Sequence, residues 1–150
     1  MRALLALPLL LAGCAAMTPA PGASGGADQA SARDCAVAAA VAREHYRFGA
    51  DNVPPPLWTP VERADGGRFH WRCDWAAHGL AFAETFDPEA PAEPGRTRWV
   101  KFEPPIYDGD GARVATGILH GPLAGMGHEC RLRSGVAGWT VVECRSTWIS

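Results

Sequence analysis

The chain has 150 residues, of which 47% are hydrophobic, and it carries 14 Lys and Arg against 16 Asp and Glu. This length is sufficient for one domain and too short for two good cores. A formal net charge of −2 creates no field that would attract nucleic acid, so we expect no nucleic-acid partner.

The first 13 residues have the pattern of an export signal. Arg2 supplies a positive charge, and residues 3–12 form an uncharged, mainly apolar run. This run is about half the length that a membrane-spanning helix needs. We therefore predict a cleaved signal peptide over residues 1–13 and no membrane helix there.

The segment Leu11-Ala12-Gly13-Cys14 resembles the bacterial lipobox. The resemblance implies that lipid is attached to Cys14, that the signal is cleaved before it, and that the protein contacts the membrane through this lipid. Lasting anchorage needs two or three acyl chains, because each buried methylene adds only about 0.8 kcal/mol. Since residue 15 is Ala and not Asp, analogy with bacterial lipoprotein sorting implies the outer membrane, with the domain facing the periplasm.

The segment that follows is poor in large apolar side chains. Residues 15–33 are mainly Ala, Gly, Ser and Pro, with Met17 as the exception. Such a segment buries too little surface to offset its ordering entropy. We predict a lipidated cysteine and flexible tether over residues 14–33, followed by a single globular domain over residues 34–150.

One helix is predicted at the start of the domain. Ser31 and Asp34 form a capping-box pattern, and an Ala-rich amphipathic stretch continues to about Phe48. Residues 51–60 contain four prolines, which predicts an extended connection.

Beyond Arg68 the apolar pattern becomes that of β-strands. Strands are predicted at residues 69–73, 80–86, 98–102, 114–118, 126–133 and 139–148. The fold class is therefore α+β, with one N-terminal helix packed on an antiparallel sheet of four to six strands. Because the sequence stops directly after the last strand, we expect that strand to lie inside the sheet.

Besides Cys14 the chain has four cysteines, Cys35, Cys73, Cys130 and Cys144. An even number in an exported chain predicts two disulfides, with three connectivities allowed by the count.

The register of the last hairpin selects one connectivity. Residues 136–138 suit a three-residue loop with Gly138 in the left-handed conformation, so that Gly135 faces Trp139. The same register places Leu132 opposite Val142, Arg131 opposite Glu143, and Cys130 opposite Cys144. We predict the Cys130–Cys144 disulfide, which leaves Cys35–Cys73 to join the helix to the first strand.

Motifs for metal binding and catalysis are weak. The histidines are His45, His70, His78, His120 and His128, and their closest cysteine neighbours are already assigned to disulfides. The Gly-rich run at residues 121–127 lacks the Lys-Ser/Thr of a phosphate loop, so we interpret it as a tight connection between strands. We expect no metal, no cofactor and no catalytic residue.

Three residues are candidates for ligand binding. Glu84 alternates with Phe82 and Phe86, which predicts an inward-facing carboxylate. The chain has six tryptophans, which we interpret mainly as core residues, with an aromatic binding groove as the functional alternative. Trp71, Trp99 and Glu84 would border such a groove on a concave sheet face.

The C-terminal segments 121–127 (GPLAGMG), 138–141 (GWTV) and 147–150 (TWIS) resemble uncharacterised exported bacterial domains with a GPLxGxG…GWxV…WIS pattern. The resemblance covers residues 107–150 and implies no activity. In architecture, the predicted helix and curved sheet resemble NTF2-like or cystatin-like domains, which by itself implies no function.

These features support three hypotheses. The first is a lipid-anchored envelope protein with a periplasmic binding or structural domain, which would contact the membrane and an envelope protein partner. The second is an NTF2-like domain with a ligand cavity of about 300 Å³ or more. The third, a metal-handling protein or enzyme, requires His70, His78, His120 or His128 to converge on a common point.

Overall fold

The computed structural model describes residues 28–82, 85–89, 91, 97–121 and 123–150. In this part of the chain one helix packs with antiparallel strands and two disulfides are formed, which confirms the α+β prediction. Cys14 and Glu84 lie outside the described residues. None of the described helices is long and apolar enough to cross a membrane.

Helix α1 spans Ala32–Glu44 and begins with the predicted capping box. The Ser31 N–H donates to Asp34 Oδ2 at 2.8 Å, and the Asp34 N–H donates to Ser31 Oγ at 3.2 Å. Two N–H groups of the first turn are satisfied in this way. Just before the helix, residues 28–30 pair their backbone with His70, so residues 28–33 belong to the folded domain and not to the predicted tether.

Helix α1 lies in the centre of the domain. Residues 37–42 are all buried, and six consecutive residues cover more than one full turn of a helix. This middle part of the helix is therefore enclosed on all sides, whereas the sequence predicted one apolar face. Its alanines allow this close packing because they add little volume around the helix axis.

The helix ends at Glu44, four residues before the predicted Phe48. The Phe48 N–H donates to Ala42 O, and Arg47 adopts a φ of 59°. This turn directs the Phe48 side chain into the core, where it is 7% exposed. Burial of one ring thus overrides the continuation of the helical pattern.

The strands form two sheets. The small sheet pairs β1 (Val61–Glu62) with β2 (Arg68–Phe69), and a short 3₁₀ helix follows at Ala76–His78. The main antiparallel sheet contains β3 (Trp99–Phe102), β4 (Ile106–Asp108), β5 (Gly111–Gly121), β6 (Ala124–Gly135) and β7 (Gly138–Ile149). Its order is β3-β5-β6-β7, with β4 also paired to β5.

The expectation that the last strand lies inside the sheet is wrong, because β7 is at the edge. Strands β3 and β4 both pair with β5 on its other side, and β6 and β7 add outward as successive hairpins. The position of a strand in the sequence therefore does not determine its place in the sheet.

Two predicted strands are largely absent from the described residues. The predicted strand 69–73 contributes only Arg68–Phe69 to β2, since Cys73 leaves the extended path to meet α1. In the predicted strand 80–86, Thr85 makes a single bridge with Leu57. The Phe82 side chain instead packs against the core aromatic residues.

The last hairpin follows the predicted register in its middle. Cys130 faces Cys144, Arg131 faces Glu143, and Gly138 has a φ of 100°, as predicted. Nearer the turn the pairs are displaced by one residue: Leu132 faces Val141 and Gly135 faces Gly138. A β-bulge between these two regions accounts for the displacement, because it places one extra residue on β7.

Both predicted disulfides are confirmed. Cys130–Cys144 links β6 to β7 with a Cα–Cα distance of 4.0 Å, and Cys35–Cys73 links α1 to the segment after β2 at 5.6 Å.

The two faces of the main sheet differ in composition. On the helix face, Ala112 and Val114 of β5 and Leu132 of β6 are buried against the core. On the opposite, outer face, the Trp148 indole covers Gly117 and Gly127, where any Cβ atom would collide with it or crowd it. The outer face is otherwise rich in charged side chains, such as Arg113, Glu129, Arg131, Glu143 and Arg145.

Candidate functional site

A cavity of about 610 Å³ lies between the helix face of the sheet and the segment that follows α1. It is formed by the end of α1 and residues 46–55 on one side, and by β5 and β6 on the other. Its described lining residues are His45, Tyr46, Phe48, Asn52, Val53, Pro54, Pro55, Thr97, Ile118, His120, Met126 and His128. Six of these residues are apolar and six carry polar groups, so the lining combines apolar surface with groups that can orient a small molecule.

The early end of α1 makes room for this cavity. Asn52 holds the turn after the helix by donating from Nδ2 to the carbonyls of Tyr46 and Arg47, at 3.1 and 3.2 Å. Pro54 and Pro55 are buried behind the turn, and their fixed φ angles stiffen this wall. The wall is thus built from local side-chain and proline geometry.

Tyr46 connects the wall to the sheet. Its hydroxyl lies 3.1 Å from Thr116 Oγ1, and the Thr116 hydroxyl donates to Lys101 O at 2.7 Å. Because Thr116 has one hydroxyl hydrogen and uses it on Lys101, Tyr46 is the donor in their contact. Burial raises the pKa of Tyr46, which keeps this hydroxyl protonated as that donor.

Two histidines meet at the inner end of the cavity. The rings of His45 and His128 lie edge to face, with centroids 4.4 Å apart. His45 Nε2 and His128 Nδ1 are buried, and neither has a hydrogen-bond partner among the described residues. Burial lowers the pKa of His45, and the neighbouring His128 lowers it further, so His45 is neutral at pH 7.

Polar groups also stand at the mouth of the cavity. His120 Nδ1 lies 2.9 Å from Thr97 Oγ1. The other ring nitrogen of His120, Nε2, takes no part in this contact. The site therefore offers imidazole and amide groups beside apolar side chains. Among the described lining residues there is no carboxylate and no Lys or Arg.

The described residues around the cavity do not form a metal site. One ring nitrogen of His45 and the sulfurs of Cys130 and Cys144 lie within 4.8 Å of one another. Both sulfurs are bonded in the disulfide, so they are not thiolate ligands.

The four histidines of the metal hypothesis do not converge. His120 and His128 line the cavity, whereas His70 and His78 do not. His70 pairs its backbone with residues 28–30, and His78 lies in the 3₁₀ helix, where its carbonyl accepts a hydrogen bond from Arg43. The four histidines are therefore not gathered at one point, which the hypothesis of a metal-handling protein or enzyme requires.

The predicted aromatic groove is not assembled either. Trp71 is buried, and its Nε1 donates to Phe102 O at 2.8 Å. Trp99 is three residues from Phe102 on β3 and therefore points to the outer face, where it packs edge-on against Trp58. Glu84 lies outside the described residues.

Sequence patterns missed the residues that form the inner wall. The predicted helix, which continues to about Phe48, includes His45, Tyr46 and Phe48, because the spacing of Tyr46 and Phe48 continues its apolar pattern. A concentration of ring side chains directly before Gly49 is the signal that a turn and a pocket wall begin there.

No family model, no curated protein and no solved structure matches this chain.

Proposed function

We propose that this chain is a lipid-anchored envelope protein whose folded domain binds a small molecule in the cavity beside α1. The observation that carries ligand binding is the cavity itself, of about 610 Å³. Pockets for small molecules commonly measure about 300–1,000 Å³.

The lining indicates the class of ligand. Phe48, Ile118 and Met126 provide apolar surface, whereas Asn52 and His120 provide hydrogen-bonding groups near the mouth. A molecule with an apolar body and one polar group matches this arrangement. Its apolar part would displace water from the walls, which is favourable in proportion to the area covered.

The envelope location is supported by sequence. Leu11-Ala12-Gly13-Cys14 resembles a lipobox, and a Gly- and Ser-rich segment follows it. The two disulfides agree with an oxidising compartment, where such bonds persist. The lipid on Cys14 would hold the ligand site close to the outer membrane, within the periplasm.

A fluorescent probe and a filled cavity test ligand binding. The probe is N-phenyl-1-naphthylamine, an uncharged molecule that combines an apolar ring system with one polar N–H group. Met126 lines the cavity and is 38% exposed, so Met126→Trp fills the space without disturbing the core. We expect this variant to bind the probe at least about tenfold more weakly than the wild type.

Ile106→Trp is the matched control, because Ile106 is 60% exposed on β4 and does not line the cavity. This variant is expected to bind the probe like the wild type. Equal affinity of the wild type and Met126→Trp, or absence of saturable binding to the wild type, would contradict the proposal.

A further inference from the structure

The two edges of the main sheet differ in whether another backbone segment pairs with them. At the β3 edge, Val100 N–H donates to Pro56 O at 3.0 Å and Trp58 N–H donates to Val100 O at 2.9 Å. Residues 56–58 therefore cover this edge. At the β7 edge, no described residue pairs its backbone with the 12-residue strand from outside.

The uncovered strand also exposes apolar side chains. Val142 is 59% exposed, Trp148 43% and Ile149 79%. Long exposed edges of this kind are rare in monomeric proteins, because unpaired N–H and C=O groups recruit further strands. One N–H group of β7 is covered by a side chain, since the Val141 N–H donates to Glu44 Oε2 at 2.8 Å.

The strand is close to symmetric about Cys144. A β-bulge lies on each side of this residue, one between Val141 and Glu143 and one between Ser146 and Trp148. Each bulge shifts the alternation of side chains by one position. As a result Trp139 and Ile149, five residues to either side of Cys144, both lie on the helix face, opposite Ser134 and Met126 of β6.

The charged side chains of β7 are also arranged symmetrically about Cys144. Glu143 and Arg145 flank Cys144 on the outer face, where they form an exposed ion pair within the strand at 3.1 Å. Antiparallel pairing of two β7 strands around Cys144 would place Glu143 opposite Arg145 of the second copy, and Arg145 opposite Glu143 of the second copy. Opposite charges at facing positions stabilise antiparallel strands.

We propose that the uncovered edge of β7 pairs with β7 of a second copy, antiparallel and centred on Cys144, so that one sheet continues through a symmetric dimer. In this register Trp139 faces Ile149 of the second copy, and Thr140 faces its Trp148. Pairing covers the most exposed apolar side chain of the strand and satisfies its free backbone groups. The proposal is independent of ligand binding in the cavity.

Charge reversal tests both association and register. The purified full-length chain is studied by sedimentation velocity in a non-ionic detergent, over a hundredfold range of concentration reaching about 100 µM. We expect a wild-type dimer. In the dimer, Glu143→Arg would place an arginine opposite Arg145 of the second copy, and the symmetry repeats this repulsion once. Arg145→Glu would likewise place a glutamate opposite Glu143 of the second copy. Each single variant should weaken dimerisation by about tenfold or more.

The double variant Glu143→Arg/Arg145→Glu restores opposite charges across the axis and should recover the wild-type dimer. Arg113→Glu reverses a charge on the outer face of β5, away from the edge, and should leave the dimer unchanged. Amide hydrogen exchange should show protection of residues 143–149 that increases with protein concentration.

A wild-type chain that stays monomeric over the whole concentration range overturns the proposal. Single variants that dimerise like the wild type, or a double variant that stays as weak as the singles, overturn this register.

Discussion

The Nε2 atom of His45 is buried, and no residue in the described part of the chain gives it a hydrogen bond. Water would satisfy this nitrogen in the unfolded chain, so its burial has a free-energy cost that increases when the ring is charged. Both the desolvation of the ring and the neighbouring His128 lower the pKa of His45. The residue therefore couples the stability of the cavity wall to pH.

The sign of this coupling gives a prediction. Because the pKa of His45 is lower in the folded state than the ordinary value of 6.5 for histidine, the unfolded state takes up the proton first as pH falls. We expect the contribution of neutral His45 to be present in full above pH 6.5 and to be lost as pH falls below it. One such group changes the free energy of unfolding by at most about 1.4 kcal/mol per pH unit.

Urea unfolding between pH 5 and 7.5 measures this slope. His45→Gln keeps a polar side chain but does not titrate, so its free energy of unfolding should decline less steeply on acidification. Identical slopes for the wild type and His45→Gln would exclude a role for His45.

At the scale of the elements, glycines determine how β5, β6 and β7 fit beneath one indole. Trp148 of β7 reaches across Gly127 of β6 to Gly117 of β5. Sheet interiors normally disfavour glycine, since it contributes no side chain to packing. Here the missing Cβ atoms allow the ring to lie against the backbone and cover it.

A double-mutant cycle tests this packing. Gly127→Ala places a Cβ within the space of the Trp148 indole, so the ring must leave its position. We expect the free energy of unfolding to fall by about 1–3 kcal/mol. In a Trp148→Ala background the same change should be neutral or stabilising, because alanine restricts the unfolded chain and now meets no ring.

Gly121 is the matched control, because an added Cβ there meets no atom within 4 Å. Gly121→Ala should change stability little in either background. If Gly127→Ala costs the same with and without Trp148, the indole is not the reason for the glycine.

At the scale of the whole molecule, the disulfides tie the central helix and the last hairpin to their surroundings. Cys35–Cys73 closes a separation of 38 residues, and Cys130–Cys144 one of 14. The chain-entropy model assigns about 4 and 3 kcal/mol to loops of these lengths. These are large contributions for a domain of this size, whose total stability is commonly about 5–15 kcal/mol.

The proposed anchor is tested on the whole mature protein. Intact mass spectrometry should find a chain that begins at Cys14 and carries added lipid. The other four cysteines should react with an alkylating reagent only after reduction. Cys14→Ala should remove the lipid and release the protein from the membrane fraction, with the two disulfides retained.

A mature chain that begins at another residue, or that begins at Cys14 without added mass, would contradict lipid anchoring. In that case the cavity and its probe-binding test are unaffected, because they depend on the folded domain alone.

Local chemistry allowed several features to be predicted from sequence alone. The capping pair Ser31 and Asp34 determined where α1 begins, because a cap satisfies backbone groups within one turn. The alternation of apolar residues determined the strands of the last two hairpins. Both features depend on residues close together in sequence. The prediction that Cys130 meets Cys144 is confirmed, but the predicted three-residue loop is wrong, because the structure has a two-residue turn at residues 136–137 and a β-bulge in β7 that restores the predicted cysteine pair.

Tertiary structure alone decided the end of α1, the edge position of β7 and the cavity. Tyr46 and Phe48 leave the helix because their rings gain contacts with Thr116 and with core residues far along the chain. The order of the strands, the bulges around Cys144 and the space between Ile118 and the turn after α1 depend on the same long-range packing. Propensity and periodicity describe neighbours in sequence, so they carry no information about competition between distant contacts.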